Sequence, residues 1–189
     1  MPRPKLHSDD TILAAAQKVL LTKGPSSFTL TDVAKAVGIS RAALIQRFTD
    51  KKNLHFQVMQ RSTEEVREYF AGASRDIGLD ALWSLLVDLI EGLGAGDDFA
   101  GYLLLEWNDV VDDDLNRLAR ERNSLVLAAI RERLPATPHD PDMAASLIQS
   151  VIQGASMQWL IARQGALNRF VADQTRAVLI VLYPEHRFD

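Results

Sequence analysis

The sequence predicts an all-α protein of about nine helices, and three observations support this fold class. Apolar residues recur at helical spacing along nearly the whole chain of 189 residues, and no segment sustains an alternation of apolar and polar residues. Ser, Thr or Asp precedes several of the apolar runs, as expected at a helix start, and Gly or Pro often follows them. The chain shows no internal repeat and no low-complexity tract.

Four helices are predicted in the first part of the chain. Thr29 and Asp32 form an approximate capping box, with Asp in place of the usual Glu, and Gly38 follows as a residue suited to a left-handed helix end. The predicted elements are an Ile12–Leu20 stripe capped by Ser8 and ended by Gly24-Pro25, a helix from Leu30 to about Val37, a helix from Ser40 through Phe48, and a long helix capped by Asp50 that runs from Lys51 to about Ala73.

The rest of the chain predicts longer helices. Gly72, Gly78 and the Gly94-Ala-Gly96 stretch separate them, and Pro135 to Pro138 together with Pro141 form the clearest loop. The predicted helices are Leu79–Leu93, Phe99–Val111, Asp113–Leu134, Met143–Arg163 and Asn168–Tyr183.

Composition narrows the class of protein. Hydrophobic residues make up 47% of the chain and charged residues 24%, which is ordinary for a globular domain. The absence of cysteine excludes a disulfide scaffold, a thiol nucleophile and a cysteine-ligated metal site. No apolar run approaches a membrane span of about 18 residues, and no apolar stretch follows the basic N-terminus as in a signal peptide. We therefore expect a cytoplasmic protein without membrane partners.

Charge is divided unevenly along the chain. Residues 1–60 hold nine Lys and Arg against four Asp and Glu, a net charge of +5, whereas the whole chain carries −4. A basic N-terminal segment on an acidic body favours contact between that segment and a polyanion.

The segment from Phe28 to Phe48 has the layout of a helix-turn-helix. Two short helices meet at a turn containing Gly38, and small Ala34 stands where they approach. In this motif the second helix lies in the major groove of DNA, although the spacing also fits a helical hairpin with a solvated polar face. Arg pairs with guanine and Gln with adenine in that groove, while a small residue admits the backbone or a thymine methyl. The candidate DNA-facing residues are Ser40, Arg41, Ala42, Ala43, Gln46 and Arg47, with Lys51 and Lys52 placed to hold phosphate at the next helix start.

These residues resemble the tetracycline-repressor (TetR) family of bacterial regulators. The matching positions include Ile12–Ala16, Lys23-Gly24, Phe28–Leu44, Phe48, Lys51 and Leu54, so the detailed resemblance covers residues 9–55. It implies that Thr29 and Thr31 reach DNA from the second helix and that Lys51 grips phosphate. The family usually has a tyrosine where this chain has Ile45, so a phosphate contact is missing there, or Ile45 packs in the core.

The resemblance also implies two domains and a regulatory function. We expect an N-terminal arm and DNA-binding domain over 1–52 and an effector-binding and dimerisation domain over 53–189, joined by the long helix. The expected protein is a homodimer that binds a palindromic double-stranded operator, with repression favoured, and that an unidentified small molecule releases. A rival class is a helical small-molecule-binding or interaction protein without specific DNA binding.

The C-terminal helices supply candidates for the effector pocket and the dimer interface. Large or polar residues at the pocket are Trp83, Tyr102, Glu106, Trp107, Gln153, Met157 and Trp159, any of which also suits plain core or surface. One apolar stripe on each of the last two helices favours a four-helix interface, formed by Leu147, Val151, Gly154, Gln158, Ile161, Phe170, Ala177, Ile180 and Val181.

No catalytic or metal centre is predicted. The four histidines lie far apart and lack metal-ligand spacing, so structural or solvated roles are favoured. Asp97-Asp98 and Asp112–Asp114 precede apolar helical runs, where helix-start charge is the simpler explanation than cation binding. With no Gly-rich phosphate loop and no Ser-His-Asp grouping, we expect neither an enzyme nor a cofactor.

Overall fold

The apolar spacing of the sequence is realised as helices. The computed structural model describes residues 7–188, and within that range it contains nine α-helices and no strand. The all-α prediction is therefore confirmed. No helix in the described range is long and apolar enough to cross a membrane. The helices are α1 (Asp9–Ser27), α2 (Leu30–Val37), α3 (Arg41–Phe48), α4 (Lys51–Gly72), α5 (Leu79–Glu91), α6 (Phe99–Val111), α7 (Asp113–Arg131), α8 (Pro141–Ala162) and α9 (Leu167–Leu182).

Two predicted boundaries are wrong in an informative way. The first helix does not end at Gly24-Pro25: its geometry breaks at Gly24, with φ of 76°, and a further turn continues to Ser27. The sequence predicts a loop at Pro141, but this residue opens α8, because proline at the first helical position needs no backbone hydrogen-bond donor. The Asp140 carboxylate caps that helix by accepting from the Met143 amide at 2.9 Å.

The chain divides into two compact units. The first comprises Met1–Tyr69 and Ala100–Arg122, and the second comprises Phe70–Phe99 and Asn123–Asp189. The first unit has one apolar core that includes Ile12, Leu44 and Leu54 from α1, α3 and α4 and extends to leucines of α6 and α7. In this unit the helix-turn-helix therefore shares its core with α4 and with parts of α6 and α7.

Gly101 permits close packing within the first unit. A β-carbon at this buried position of α6 would collide with the backbone of Leu21 at the end of α1. Backbone cannot move aside as a flexible side chain can, so only glycine fits here.

In the second unit, α9 packs against α8 and α5. Fully buried side chains of this unit include Leu86, Ile130, Ile148 and Leu179. The loop before α6 is fixed by the ring of Trp159, which occupies the space where a β-carbon at Gly96 would lie. The indole Nε1 of Trp159 also donates to the Gly165 carbonyl at 3.0 Å.

Candidate nucleic-acid interface

Polar caps fix the first helix of the helix-turn-helix. The Thr29 hydroxyl accepts from the Asp32 amide at 3.2 Å, and the Asp32 carboxylate accepts from the Thr29 amide at 3.0 Å, which completes the predicted capping box. Lys23 on α1 donates to the other oxygen of Asp32 at 2.5 Å. The hydrogen bonds from Lys23 and Thr29 lower the pKa of Asp32 to about 2, so this carboxylate is ionised at neutral pH. The start of α2 is thus anchored to α1.

The turn between α2 and α3 depends on Gly38. This residue adopts the left-handed conformation, with φ of 78° and ψ of 31°, which glycine tolerates without a steric cost. Its amide and that of Ile39 donate to the Ala34 carbonyl at 2.9 and 3.0 Å, closing the helix end. The Ser40 hydroxyl then accepts from the Ala43 amide at 3.1 Å, so Ser40 is the N-cap of α3.

The α3 helix separates an apolar face from a polar one. Leu44 and Phe48 are buried in the core of the first unit, while Arg41, Ala42 and Gln46 are exposed. Within residues 7–188, the side chains of Arg41 and Gln46 make no hydrogen bond or ion pair. Both therefore offer all their donors and acceptors to a partner, as direct contact with base edges requires.

The other predicted cations already have partners in the structure. Arg47 donates to the His7 carbonyl at 2.8 Å and lies 3.4 Å from the Asp9 carboxylate. Lys51 donates to the Ser26 carbonyl at 3.0 Å, and its ammonium stands 4.5 Å from the centre of the Phe28 ring. These contacts position the two side chains, and a phosphate would have to compete with them.

Lys52 lies between two carboxylates. Its ammonium is 3.3 Å from Asp112 and 3.6 Å from Asp114, at the junction of α6 and α7. The hydrogen bond that Lys52 donates to Asp112 raises the pKa of Lys52, which keeps it charged, and the pKa of Asp112 is lowered by backbone amides and by Lys52. Lys51 and Lys52 are the predicted phosphate-binding lysines, and of the two it is Lys52 whose charge is balanced by carboxylates of the same chain.

A surface depression brings several predicted residues together. It has a volume of about 400 Å³. Four of the predicted DNA-binding residues line it: Thr29, Thr31, Arg41 and Lys51. Ile45 also lines it, half-buried and packed against the core of the first unit. Sequence reasoning missed three further hydroxyl-bearing residues of the lining, Ser26, Ser27 and Thr49.

The missed hydroxyls have different sequence signals. Ser26 and Ser27 lie three and two residues before the Thr29 cap, so their position beside the second helix was available from the sequence. Thr49 ends α3 with a φ of 63°, a backbone conformation that residues other than glycine seldom adopt. Nothing in its residue type predicted that conformation.

The candidate effector-pocket residues are distributed over both compact units. Tyr102, Glu106 and Trp107 lie in the first unit, where Trp107 is 70% exposed. The other four, Trp83, Gln153, Met157 and Trp159, lie in the second unit. Trp83 and Trp159 are buried there with partners of their own: the Trp83 ring meets Phe188 edge to face at 6.2 Å, and Trp159 bonds Gly165.

The candidate dimer residues form an exposed apolar face on α8 and α9. Leu147, Ile161, Ile180 and Val181 are between 42% and 82% exposed. Gly154, Gln158 and Ala177 are exposed as well, while Val151 and Phe170 are half-buried. A face of this composition is costly to leave in water.

A buried ion pair in the first unit was not anticipated. The Arg122 guanidinium on α7 bonds both the Asp109 carboxylate on α6 and the Thr63 hydroxyl on α4, the latter at 3.0 Å. Asp109 is completely buried, and burial raises its pKa to about 6 against the opposing effect of Arg122. The pair links α6 and α7 to Thr63 on α4, which lies 59 residues before Arg122, and residue spacing does not reveal a contact of this range.

No group of three or more His, Cys, Asp or Glu side chains within residues 7–188 is arranged to hold a metal ion. Of the histidines, His55 is buried beside the Phe28 ring, and His139 contacts the Leu182 carbonyl at 2.8 Å.

Comparisons with known proteins agree with this geometry. The family described as "Bacterial regulatory proteins, tetR family" matches residues 12–58, which span most of α1, all of α2 and α3, and the start of α4. No curated protein is significantly similar in sequence.

Solved structures share the fold over most of the chain. A TetR transcription regulator from Haloarcula marismortui is 15% identical with a TM-score of 0.77, and the alignment covers 92% of this chain and 95% of that one. A protein from Saccharomonospora viridis, solved in complex with choline, is 18% identical with a TM-score of 0.74 at the same coverage of 92% and 95%. A TetR-family member from Streptomyces coelicolor is 18% identical with a TM-score of 0.66, covering 89% of this chain and 96% of that one.

The capped helix pair with an outward polar face defines a helix-turn-helix DNA-binding regulator. Residues 12–58 match the TetR family of bacterial regulatory proteins, and most of the chain shares the fold of solved structures of that family. The family resemblance found in the sequence is therefore confirmed.

Proposed function

We propose that the protein is a homodimeric repressor that binds a palindromic operator and leaves it when a small molecule binds. The observation that carries this proposal is the exposed face of α3, where Arg41 and Gln46 have no partner among the described residues, while Leu44 and Phe48 anchor the helix in the core. An α-helix fits the major groove, and these two side chain types make bidentate contacts with guanine and adenine.

The short length of the recognition helix α3 supports dimerisation. The recognition helix has 8 residues, so one copy contacts only a few base pairs, whereas two copies related by a two-fold axis read two half-sites. The exposed apolar face on α8 and α9 supports self-association. The partner proposed for this face is a second copy of the chain, because an isologous interface buries the same apolar stripe on both partners.

Release by a small molecule is the third part of the proposal. The similar fold from Saccharomonospora viridis holds choline, which supports a small-molecule site in proteins of this shape without indicating the molecule here. A ligand that favours a conformation with wrongly spaced recognition helices needs a coupling free energy of about 1–3 kcal/mol. The pocket residues named from the sequence in α5, α6 and α8 are one candidate location for that molecule.

The proposed division of labour assigns 1–52 to DNA binding and 53–189 to effector binding and dimerisation. We propose no cofactor and no catalytic role. This function places the protein in the cytoplasm, the compartment that holds operator DNA in a cell without a nucleus.

Selection from a pool of random duplexes tests the proposal. The expected result is enrichment of an inverted repeat whose half-site centres lie about 34–36 Å apart, or a multiple of that spacing, as two major-groove helices require. Affinity for the selected duplex, measured by fluorescence anisotropy, is expected to fall steeply with salt because bound phosphates release counterions. Retention of DNA that is weak, equal for all sequences and insensitive to salt would favour the rival class of a protein without specific DNA binding.

A further inference from the structure

The first unit contains a cavity at the start of α4 that the DNA-binding role leaves unexplained. Its volume is about 630 Å³, within the range of about 300–1,000 Å³ that small-molecule sites occupy. Its lining has three sources. They are the fully buried Phe28 just before α2, the first turn and a half of α4, and the junction of α6 and α7. None of the pocket residues proposed from the sequence belongs to it.

One wall of the cavity is apolar and aromatic. Phe28, Phe56 and Leu115 line it, and the His55 ring meets the Phe28 ring edge to face at 5.9 Å. Such a wall removes a ring-bearing molecule from water and offers favourable edge-to-face contacts.

The charged groups around the cavity already have partners within the first unit, including Asp50, which accepts from the Asn53 amide at 2.8 Å. Lys52 is held by Asp112 and Asp114, and Lys51 is held by the Ser26 carbonyl and the Phe28 ring. A charged ligand would have to break one of these pairs before it gained its own. An uncharged ligand leaves all of them intact.

His55 is the polar group that lacks a partner. It is 7% exposed, and its Nε2 atom is buried without a hydrogen-bond partner among residues 7–188. Burial lowers the pKa of His55 to about 4, with Lys51 acting in the same direction and Asp112 against it, so the ring is neutral at pH 7. A nitrogen of a neutral imidazole either donates or accepts a hydrogen bond, according to the tautomer. A hydroxyl group can donate and accept, so it can pair with Nε2 in either tautomer.

We propose that this cavity binds a small uncharged aromatic compound carrying a hydroxyl group, with the ring against Phe28 and Phe56 and the hydroxyl on Nε2 of His55. This inference rests on the proposed function, and it identifies the occupant as the effector. The reason is that Lys51 and Lys52, the predicted phosphate-binding residues, line the same cavity. An occupant that keeps both lysines on their present partners therefore opposes their transfer to phosphate.

Calorimetric titration of the full-length protein without DNA tests the site, with 2-naphthol as the probe. Naphthalene supplies the same ring without a hydroxyl, and 2-naphthoate supplies it with a charge. We expect 2-naphthol to bind at least about tenfold more tightly than naphthalene, the difference expected for one hydrogen bond to a buried group. Equal binding of naphthalene, tighter binding of 2-naphthoate, or no binding of 2-naphthol up to its solubility would overturn the proposal.

Two variants at His55 locate the hydrogen bond. His55→Phe keeps a ring beside Phe28 but removes the nitrogen, so affinity for 2-naphthol should fall to that of naphthalene. His55→Gln restores a group that donates and accepts, and it should recover part of the affinity. Unchanged affinity in His55→Phe, checked for folding by its thermal midpoint, contradicts the assignment.

Nitrogen NMR of the unmodified protein decides the question if the Phe variant does not fold. The Nε2 resonance of His55 should shift on addition of 2-naphthol and not on addition of naphthalene, and the absence of that difference overturns the site. Operator affinity is then measured with and without 2-naphthol. Binding without any effect on the operator complex would refute the effector role, whereas loss of operator binding in every condition would refute the proposed function and leave the site standing.

Discussion

The two helix pairs that we assign to partners, α2–α3 and α8–α9, expose opposite chemistry. In α2–α3 most of the large apolar side chains are buried, and Thr31, Arg41 and Gln46 face solvent. In α8–α9 the exposed side chains include Leu147, Met157, Ile161, Ile180 and Val181. Polar groups with open hydrogen-bonding capacity suit a nucleic acid, whereas an apolar face suits the same face of another copy.

The pairs are also held differently. Local polar contacts fix α2 and α3: the Thr29–Asp32 capping box, the left-handed Gly38 and the Ser40 cap. The α8–α9 pair depends on long-range packing of buried side chains such as Ile148, Trp159 and Leu179. Variants of the first pair should therefore change recognition with little change in assembly, and variants of the second should do the reverse.

The largest effect is expected on the apolar face of α8–α9. Ile180 is 48% exposed in the single chain, so Ile180→Glu should leave the folded chain intact while placing a charge in the dimer interface. An uncompensated buried charge costs about 3–5 kcal/mol. Light scattering at micromolar concentration should give the mass of a dimer for the unmodified protein and of a monomer for the variant.

Gln60→Glu provides the matched control for that change. It adds the same charge to an exposed position on α4, outside the proposed interface on α8 and α9, and should leave the dimer mass unchanged. A monomer mass for the unmodified protein would refute the interface, as would a dimer that tolerates Ile180→Glu. A charge at Val151 on α8 should also weaken the dimer.

Base contacts from α3 should give the next largest effect. Arg41→Ala and Gln46→Ala should each alter the selected DNA site, with a loss of about 1–3 kcal/mol at the base pair that the side chain reads. Arg120→Ala and Gln60→Ala remove the same residue types from exposed positions outside the motif and should leave the selected site unchanged. Identical selected sites and affinities for both α3 variants would contradict the recognition-helix assignment.

Lys51 should contribute affinity without sequence preference. Lys51→Ala should weaken binding to all duplexes alike and lower the slope of log affinity against log salt by roughly one. The variant also loses the contacts to the Ser26 carbonyl and the Phe28 ring, so its thermal midpoint is measured on the same preparation. Arg169→Ala, a charge deletion at an exposed position of α9, should leave the slope unaltered. An unchanged slope in Lys51→Ala would mean that Lys51 serves only the fold.

The contrast between local contacts and long-range packing also explains what could be predicted from the sequence. The capping box, the Gly38 turn and the start of α3 follow from residues within a few positions of one another, so their signals are local. Pro141 was misassigned because proline is favoured both in loops and at the first position of a helix. The Asp109–Arg122–Thr63 network and the cavity beside His55 bring together helices far apart in the chain, and one sequence carries no local signal for such contacts.

Ile45 lies on the border between the polar face and the core, and it gives the smallest predicted effect. It is half-buried and packs against the core of the first unit, yet it lines the same depression as Thr29, Arg41 and Lys51. Ile45→Tyr therefore places a ring where the depression has room for it and returns the hydroxyl of the family's usual tyrosine. We expect DNA binding to tighten by about 0.5–1.5 kcal/mol, as one hydrogen bond gives.

The gain should be equal on specific and non-specific duplexes, because a phosphate contact carries no base information. Ile45→Phe is the matched control: it adds the same ring without the hydroxyl, so the difference between the two variants isolates the hydrogen bond. Anisotropy gives the affinities, and the thermal midpoint of each preparation reports on packing. A lower midpoint in both variants without tighter binding in Ile45→Tyr would show that Ile45 belongs to the core, since a larger ring then strains Leu44 and Phe48 and gains no phosphate contact.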